Sequence, residues 1–240
     1  MPTLAPTSTV ASTKGNFSFA VCGDNRNGDE IYSQILSKVA ADQSDFLVNT
    51  GDLVSNGSPD NFAAFRGLMR AFTKPFYPVP GNHDLYAGQL TEFLKLTPWG
   101  QPHYSFDYGR AHFAIANSSL GDLSPPELGW LDNDLSTSAQ PLKMIFLHHP
   151  PFDPQGGSHV LVRGGAELVS LATRHRAKYV FAGHIHGYAR ETRDGVTYIV
   201  TGGGGAPLYY PPENGGFYHY VRVSVMGEEV RDEVVKVSAP

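Results

Sequence analysis

At 240 residues the chain can bury one sizeable core, and with 41% hydrophobic and 17% charged residues its composition is globular. A net charge of −5 argues against a broad nucleic-acid-binding surface, which needs a basic stripe, but not against a small nucleotide as substrate. One cysteine, Cys22, rules out an intrachain disulfide and sits in an apolar run as a small buried hydrophobe.

Residues 1–15, MPTLAPTSTVASTKG, are rich in Thr, Ser, Pro and Ala and lack both the basic start and the apolar stretch of a signal peptide. They read as a flexible leader, or as the linker left when an export signal is removed. The second origin implies a periplasmic or secreted protein, the first a cytoplasmic one. No run approaches the ~20 apolar residues of a membrane span.

From residue 16 to 240 the pattern is that of a single domain, first alternating strand and helix. FSFAVCG is a strand, and Asp29 to Ala41 is helical with Ile31, Ile35, Leu36 and Val39 on one face. DFLVNTGD is a strand running into a turn, Asn61 to Phe72 a helix, PFYPVPGNHD a short strand broken by prolines, and Ala87 to Leu96 a third helix. HYSFDYGRAHFAIANS alternates as two antiparallel strands around Gly109, and PPELGWLDNDL is a helix opened by proline. LKMIFLHHPP and AKYVFAGHIHG are strands that end at histidines, with a helix from Gly164 to His175 between them. The tail reads as three further strands (VTYIVTGGGG, FYHYVRVSV, EEVRDEVVKV). Parallel βα units followed by antiparallel strands indicate a layered α/β fold with a mixed sheet system.

Five strands end in turns that carry acids, amides or histidines: Asp24, Asp52, Asn82 to Asp84, His148 with His149, and His184 to His186. Five such ends, far apart in sequence, suggest one shared rim. Carboxylate, amide oxygen and imidazole together suit borderline metals such as Zn, Mn and Fe, and no cysteine is among them. Six candidate ligands with a shared carboxylate fit two ions, the arrangement used for phosphate esters.

The order Asp24, GDLV, GNHD, HHPP, GHIH, over about Phe17 to Val200, resembles the calcineurin-like metallophosphoesterase superfamily, which includes the purple acid phosphatases. The resemblance implies a four-layer α/β/β/α sandwich of two mixed sheets with the metals at the strand carboxyl ends. It implies that Asp52 bridges two ions (Fe, Mn or Zn), that Asp24 and His186 complete one, and that Asn82, His148 and His184 complete the other. It further implies that His83 lies over the substrate as a catalytic residue oriented by Asp84, with His149 alongside. Two positions depart from the pattern: Arg26 stands where a histidine is usual, and Ser55 where others carry an acid or a metal-binding tyrosine. A guanidinium stays protonated and gives no lone pair, so Arg26 is expected to bind substrate and not to pair with Asp24.

These readings converge on a dinuclear metal-dependent phosphoric ester hydrolase, monoesters favoured, that acts through a metal-activated water on a small phosphorylated substrate. A phosphodiesterase on the same site is one alternative; a metal-binding interaction module whose first metal site has decayed is another. Tyr209 and Tyr210, in the glycine-rich loop after Thr201, are candidates for the cleft wall. His112 and His219 fall inside strands and are expected to be structural; His159 could reach the rim from its loop.

Overall fold

The computed structural model describes residues 15–238; all but Gly15 of the leader lies outside them. Eleven strands form two sheets. The first sheet takes β1 (Asn16–Cys22), β2 (Phe46–Asn49), β3 (Phe76–Pro78), β10 (His219–Met226) and β11 (Glu229–Lys236) in the order β11-β10-β1-β2-β3. In the second, β4 (Tyr104–Tyr108), β5 (Ala111–Ile115), β6 (Leu142–Phe146), β7 (Tyr179–Ala182), β8 (Tyr188–Arg193) and β9 (Val196–Thr201) run β4-β5-β6-β7-β9-β8.

Alternation along β1 shows why the sheets stack. Phe17, Phe19 and Val21 face the second sheet and pack with Phe113, Phe146 and Phe181, while Ala20 and Cys22 face outward. Phe19 stacks on Phe46 at 5.2 Å and meets Phe113 edge-on at 5.2 Å. Such contacts favour aromatic side chains on the facing strands. The outward face of β1 and β2 is covered by α1 (Asp29–Ala41) and α2 (Pro59–Leu68), through Ile31, Ile35, Val39, Phe62 and Phe65. On the other side α3 (Pro125–Thr137) and α4 (Gly165–Arg174) cover β6 and β7 through Leu131, Leu135, Leu168 and Leu171. The result is the four-layer α/β/β/α sandwich. Strands buried on both faces read as continuous apolar runs, which is why β1 and β7 are plain in the sequence.

Two elements differ from the sequence reading. Ala87 to Leu96 is not a helix: a single 3₁₀ turn covers Phe93–Leu96. Ala87 and Gly88 take left-handed φ values of 48° and 75° and turn the chain out of a helical path. Strand β8 was not anticipated. It pairs only with β9 at the sheet edge, and its charged, half-exposed sequence YARETR suits an edge and hides a strand's alternation. No helix among the described residues is long and apolar enough to cross a membrane.

His112, on β5, is structural as expected: its ring nitrogens lie 2.7 Å from Asp107 Oδ1 and 2.7 Å from Asp134 Oδ2. Burial pulls its pKa down, but the hydrogen bonds to Asp134 and Asp107 outweigh it and the net shift is upward. A raised folded pKa stabilises most below the unfolded value of about 6.5, and that contribution is lost as pH rises through the folded value. His112→Gln should therefore cost about 1–3 kcal/mol at pH 6 and less at pH 9, read by urea unfolding at both. An equal cost at both would show that the imidazolium adds nothing.

Candidate active site

All five turns meet at one end of the sandwich. Asp24 follows β1, Asp52 follows β2, Asn82 to Asp84 form a 3₁₀ turn after β3, His148 and His149 follow β6, and His184 to His186 follow β7. The carboxyl ends of parallel strands thus supply every candidate ligand. The two Gly-Asp turns are locked together by buried amides. Asn49 donates to Asn25 Oδ1 (2.9 Å) and Tyr32 Oη (3.1 Å), and Asn25 donates to the Leu53 carbonyl (2.8 Å).

Asp24, Asp52 and His184 all hold left-handed backbone, with φ of 59°, 57° and 66°. Side chains other than glycine occupy this region at a cost, and it persists where the surroundings impose it. Here it turns each side chain back over its strand end. Glycines give the room: a Cβ on Gly81 would collide with the Asp52 backbone nitrogen and Oδ1, and one on Gly183 or Gly202 would stand 2.6 or 2.7 Å from Asp24 Oδ2. The glycine-rich loop after β9 closes over the same turn, Gly204 donating to the Gly23 carbonyl (2.8 Å) and Ala206 to that of Asp24 (2.8 Å).

The proton inventory shows what the cluster is shaped for. His148 Nδ1 lies 2.8 Å from the Thr50 carbonyl, an acceptor, so that nitrogen carries the hydrogen. Burial, then the neighbouring His149, holds its pKa well below the ordinary value, so the ring is neutral and Nε2 presents a lone pair. That lone pair faces two more acceptors, Asn82 Oδ1 at 3.1 Å and Asp52 Oδ1 at 3.3 Å. His186 repeats the arrangement: Nδ1 is 2.7 Å from the Pro207 carbonyl, and Nε2 faces Asp24 Oδ1 at 3.6 Å. Burial is the main cause that pulls its pKa to about 4. Asp24 Oδ1 is buried and has no hydrogen-bond partner. Burial, with His148 and His149 nearby, takes His184 to about 2. Burial, then the neighbouring Asp52, pushes the Asp24 carboxyl well above its ordinary range, so a proton or a cation must stand among these lone pairs if they are not to repel. Imidazoles steered by carbonyls on the far nitrogen are the usual support of a metal ligand. Nitrogen and oxygen donors without sulfur suit borderline divalent metals. Donor atoms of Asp24, Asp52 and His148 lie within 4.8 Å of one another, as do those of His148, His149 and His184. The residues present fit a metal centre.

The rim carries the other candidates. His83 is half-exposed, its Nδ1 2.8 Å from the Ser55 carbonyl and its Nε2 4.0 Å from Asp52 Oδ2. His149 is buried with Nδ1 unpartnered, its ring 4.0 Å from that of His184. Tyr209 stacks on His186 at 4.0 Å, and His159 reaches the rim with its ring 5.2 Å from that of Tyr209. The Tyr210 hydroxyl donates to Asp153 Oδ1 (2.6 Å). The ion pair that Arg26 makes is with Asp52, its Nε 3.3 Å from Oδ2, a contact the sequence did not suggest.

Asp84 requires a correction. It does not orient His83; the Ser55 carbonyl does. The Asp84 carboxylate is fully buried and accepts from three backbone amides, those of Gly81 (2.8 Å), Leu53 (2.9 Å) and Asp52 (3.1 Å). It clamps the Asp52 turn to the Gly81 turn. Asp84→Asn would set NH₂ donors against amide donors, so stability should fall by about 2–3 kcal/mol and metal retention with it. An Asp84→Asn protein with wild-type melting temperature and metal content, but slow turnover, would restore the orienting role.

Asn25 and Asn49 were not singled out in the sequence; the signal was there, as a polar side chain ending an otherwise apolar strand (FLVN) and another directly after Asp24.

Residues 17–188 match the family model of the calcineurin-like phosphoesterases. The chain is 31% identical over 163 residues to a 3',5'-cyclic-nucleotide phosphodiesterase of Nostoc sp., covering 65% of this chain and 60% of that protein. A 3',5'-cyclic adenosine monophosphate phosphodiesterase of Haemophilus influenzae is 26% identical over 73% of this chain and 67% of its own length. A probable glycerophosphodiester phosphodiesterase of Arcobacter nitrofigilis is 28% identical over 59% of this chain and 56% of its own. The matched region therefore spans little more than half to two-thirds of these relatives. Among solved structures, the Plasmodium inner-membrane-complex anchor GAP50 superposes with a TM-score of 0.72 at 15% identity, over 93% of this chain and 85% of that one. At that identity the likeness is one of fold.

Proposed function

This chain belongs to the calcineurin-like phosphoesterase family, and on that premise we propose that it is a metal-dependent hydrolase of small phosphodiesters. The observation that carries the reading is the proton-free convergence of His148 Nε2, Asn82 Oδ1 and Asp52 Oδ1 within 3.3 Å of the imidazole nitrogen. A divalent ion held there would supply Lewis acidity toward phosphoryl oxygens and a nucleophilic water near neutral pH. Asp52, Asn82, His148 and His184 form one side of the holding set, Asp24, Asp52 and His186 the other. The donors fit Fe, Mn or Zn alike.

Around that set the chain's own groups divide the remaining work. Arg26, at the mouth of the site, presents a planar fork suited to paired phosphate oxygens. His83 keeps Nδ1 on the Ser55 carbonyl, which leaves Nε2 free to deliver a proton to the departing oxygen. An alkoxide leaves poorly without one, and every diester of two aliphatic alcohols must expel an alkoxide.

The monoester preference expected from the sequence gives way to diesters, because the relatives named above are phosphodiesterases of cyclic nucleotides and of glycerophosphodiesters. The test is a panel at saturating metal: 3',5'-cyclic AMP, glycerophosphoethanolamine and bis(4-nitrophenyl) phosphate against 4-nitrophenyl phosphate. The best diester should exceed the monoester in kcat/KM by about tenfold or more. Equal or reversed values would return the reading to a monoesterase.

A further inference from the structure

Asp52 turns its two carboxylate oxygens toward different neighbours. Oδ1 lies 3.3 Å from His148 Nε2, on the side where Asn82 also converges. Oδ2 lies 3.3 Å from Arg26 Nε. Beyond it stand Asp24 and His186, with Oδ1 and Nε2 3.6 Å apart, the pair expected to share Asp52 as a ligand, and the guanidinium stands against that carboxylate. Tyr209 backs the arrangement, its ring stacked on that of His186 at 4.0 Å. The Arg26 side chain is only 17% exposed and Asp52 1%, so solvent screens this contact weakly.

We infer that the two sides of Asp52 differ in kind: the chain retains one divalent ion, on the Asn82–His148–His184 side, and Arg26 is the resident cation of the other. The inference rests on the metal-site reading above. A guanidinium cannot ligate a metal, because it stays protonated. An ion on the Asp24–His186 side would have three protein ligands and a permanent positive charge at contact distance, so it binds weakly and exchanges.

The test uses the whole chain stripped of metal, reloaded with Mn(II), and passed through a desalting column before metal analysis and electron paramagnetic resonance. The wild type should retain about one Mn per chain with the spectrum of an isolated ion. Arg26→His, which exchanges the fixed charge for an imidazole donor, should retain about two with the spectrum of an exchange-coupled pair. Arg26→Met, which removes only the charge, should fall between them and guards against a histidine variant that fails to fold. A wild-type protein that keeps two coupled ions overturns the inference while leaving the metal-site reading intact. Variants that both stay at one ion overturn it as well. A wild-type protein that retains none sinks the metal-site reading, and the inference with it.

Discussion

Asp52→Ala should lose retained metal and reduce diester hydrolysis by more than the roughly 10–100-fold that removal of a supporting partner costs a metal site. The proposed ligand set has both halves share the Asp52 carboxylate: Oδ1 faces His148, Oδ2 faces Arg26, and Oδ1 also accepts from the His83 amide at 2.9 Å. Removing it takes one ligand from the ion, leaves Arg26 without its counter-charge, and frees the backbone that positions His83. Three losses at one residue act together, so the effect exceeds that of any single neighbour. Asp52→Asn separates the charge from the shape. It keeps an oxygen for the ion and for the His83 amide, so it should retain more metal than Asp52→Ala. Full metal content with near-normal turnover in purified Asp52→Ala would remove this residue from the site.

His83→Ala should leave metal content unchanged and slow turnover by about 10²–10⁴-fold, but only for poor leaving groups. No ligand atom depends on the imidazole. Its Nδ1 bonds a backbone carbonyl, its Nε2 stands 4.0 Å from Asp52 Oδ2, and a third of the side chain is open to solvent. That is the placement of a group that meets substrate. Nitrophenolate leaves without help, whereas the alkoxide of a nucleoside or of glycerol does not. The loss should therefore be large for a cyclic nucleotide or glycerophosphodiester and small for bis(4-nitrophenyl) phosphate. A uniform loss across leaving groups would instead make His83 a binding residue.

Much of this site could be read before the fold was known, because ligand chemistry and strand ends leave marks in sequence. Gly-Asp, Gly-Asn-His-Asp and Gly-His-Ile-His each close an apolar run, and the residue types already point to borderline metals. The left-handed backbone at Asp24, Asp52 and His184 could not be read, since nothing local forces an aspartate or histidine there; distant loops impose it. The role of Asp84 was misread for a related reason. An acid next to a histidine looks like its orienting partner, yet the chain direction points this carboxylate into the Asp52 turn, where three amides need an acceptor. Arg26 showed itself as an odd residue at a telling place, but its contact with Asp52 depends on how two strand ends approach. Edge strand β8 escaped because solvent, not a core, selects its side chains.

The central claim, that hydrolysis depends on an ion held by this histidine and carboxylate set, is tested most directly by titrating metal-free protein with Mn(II) while following diester hydrolysis against the bound ion. The folded, metal-free chain should be inactive, and activity should rise in proportion to occupancy of the tight site until that site is full. A metal-free protein that hydrolyses the diester at the full rate, or activity that ignores occupancy, would contradict the account.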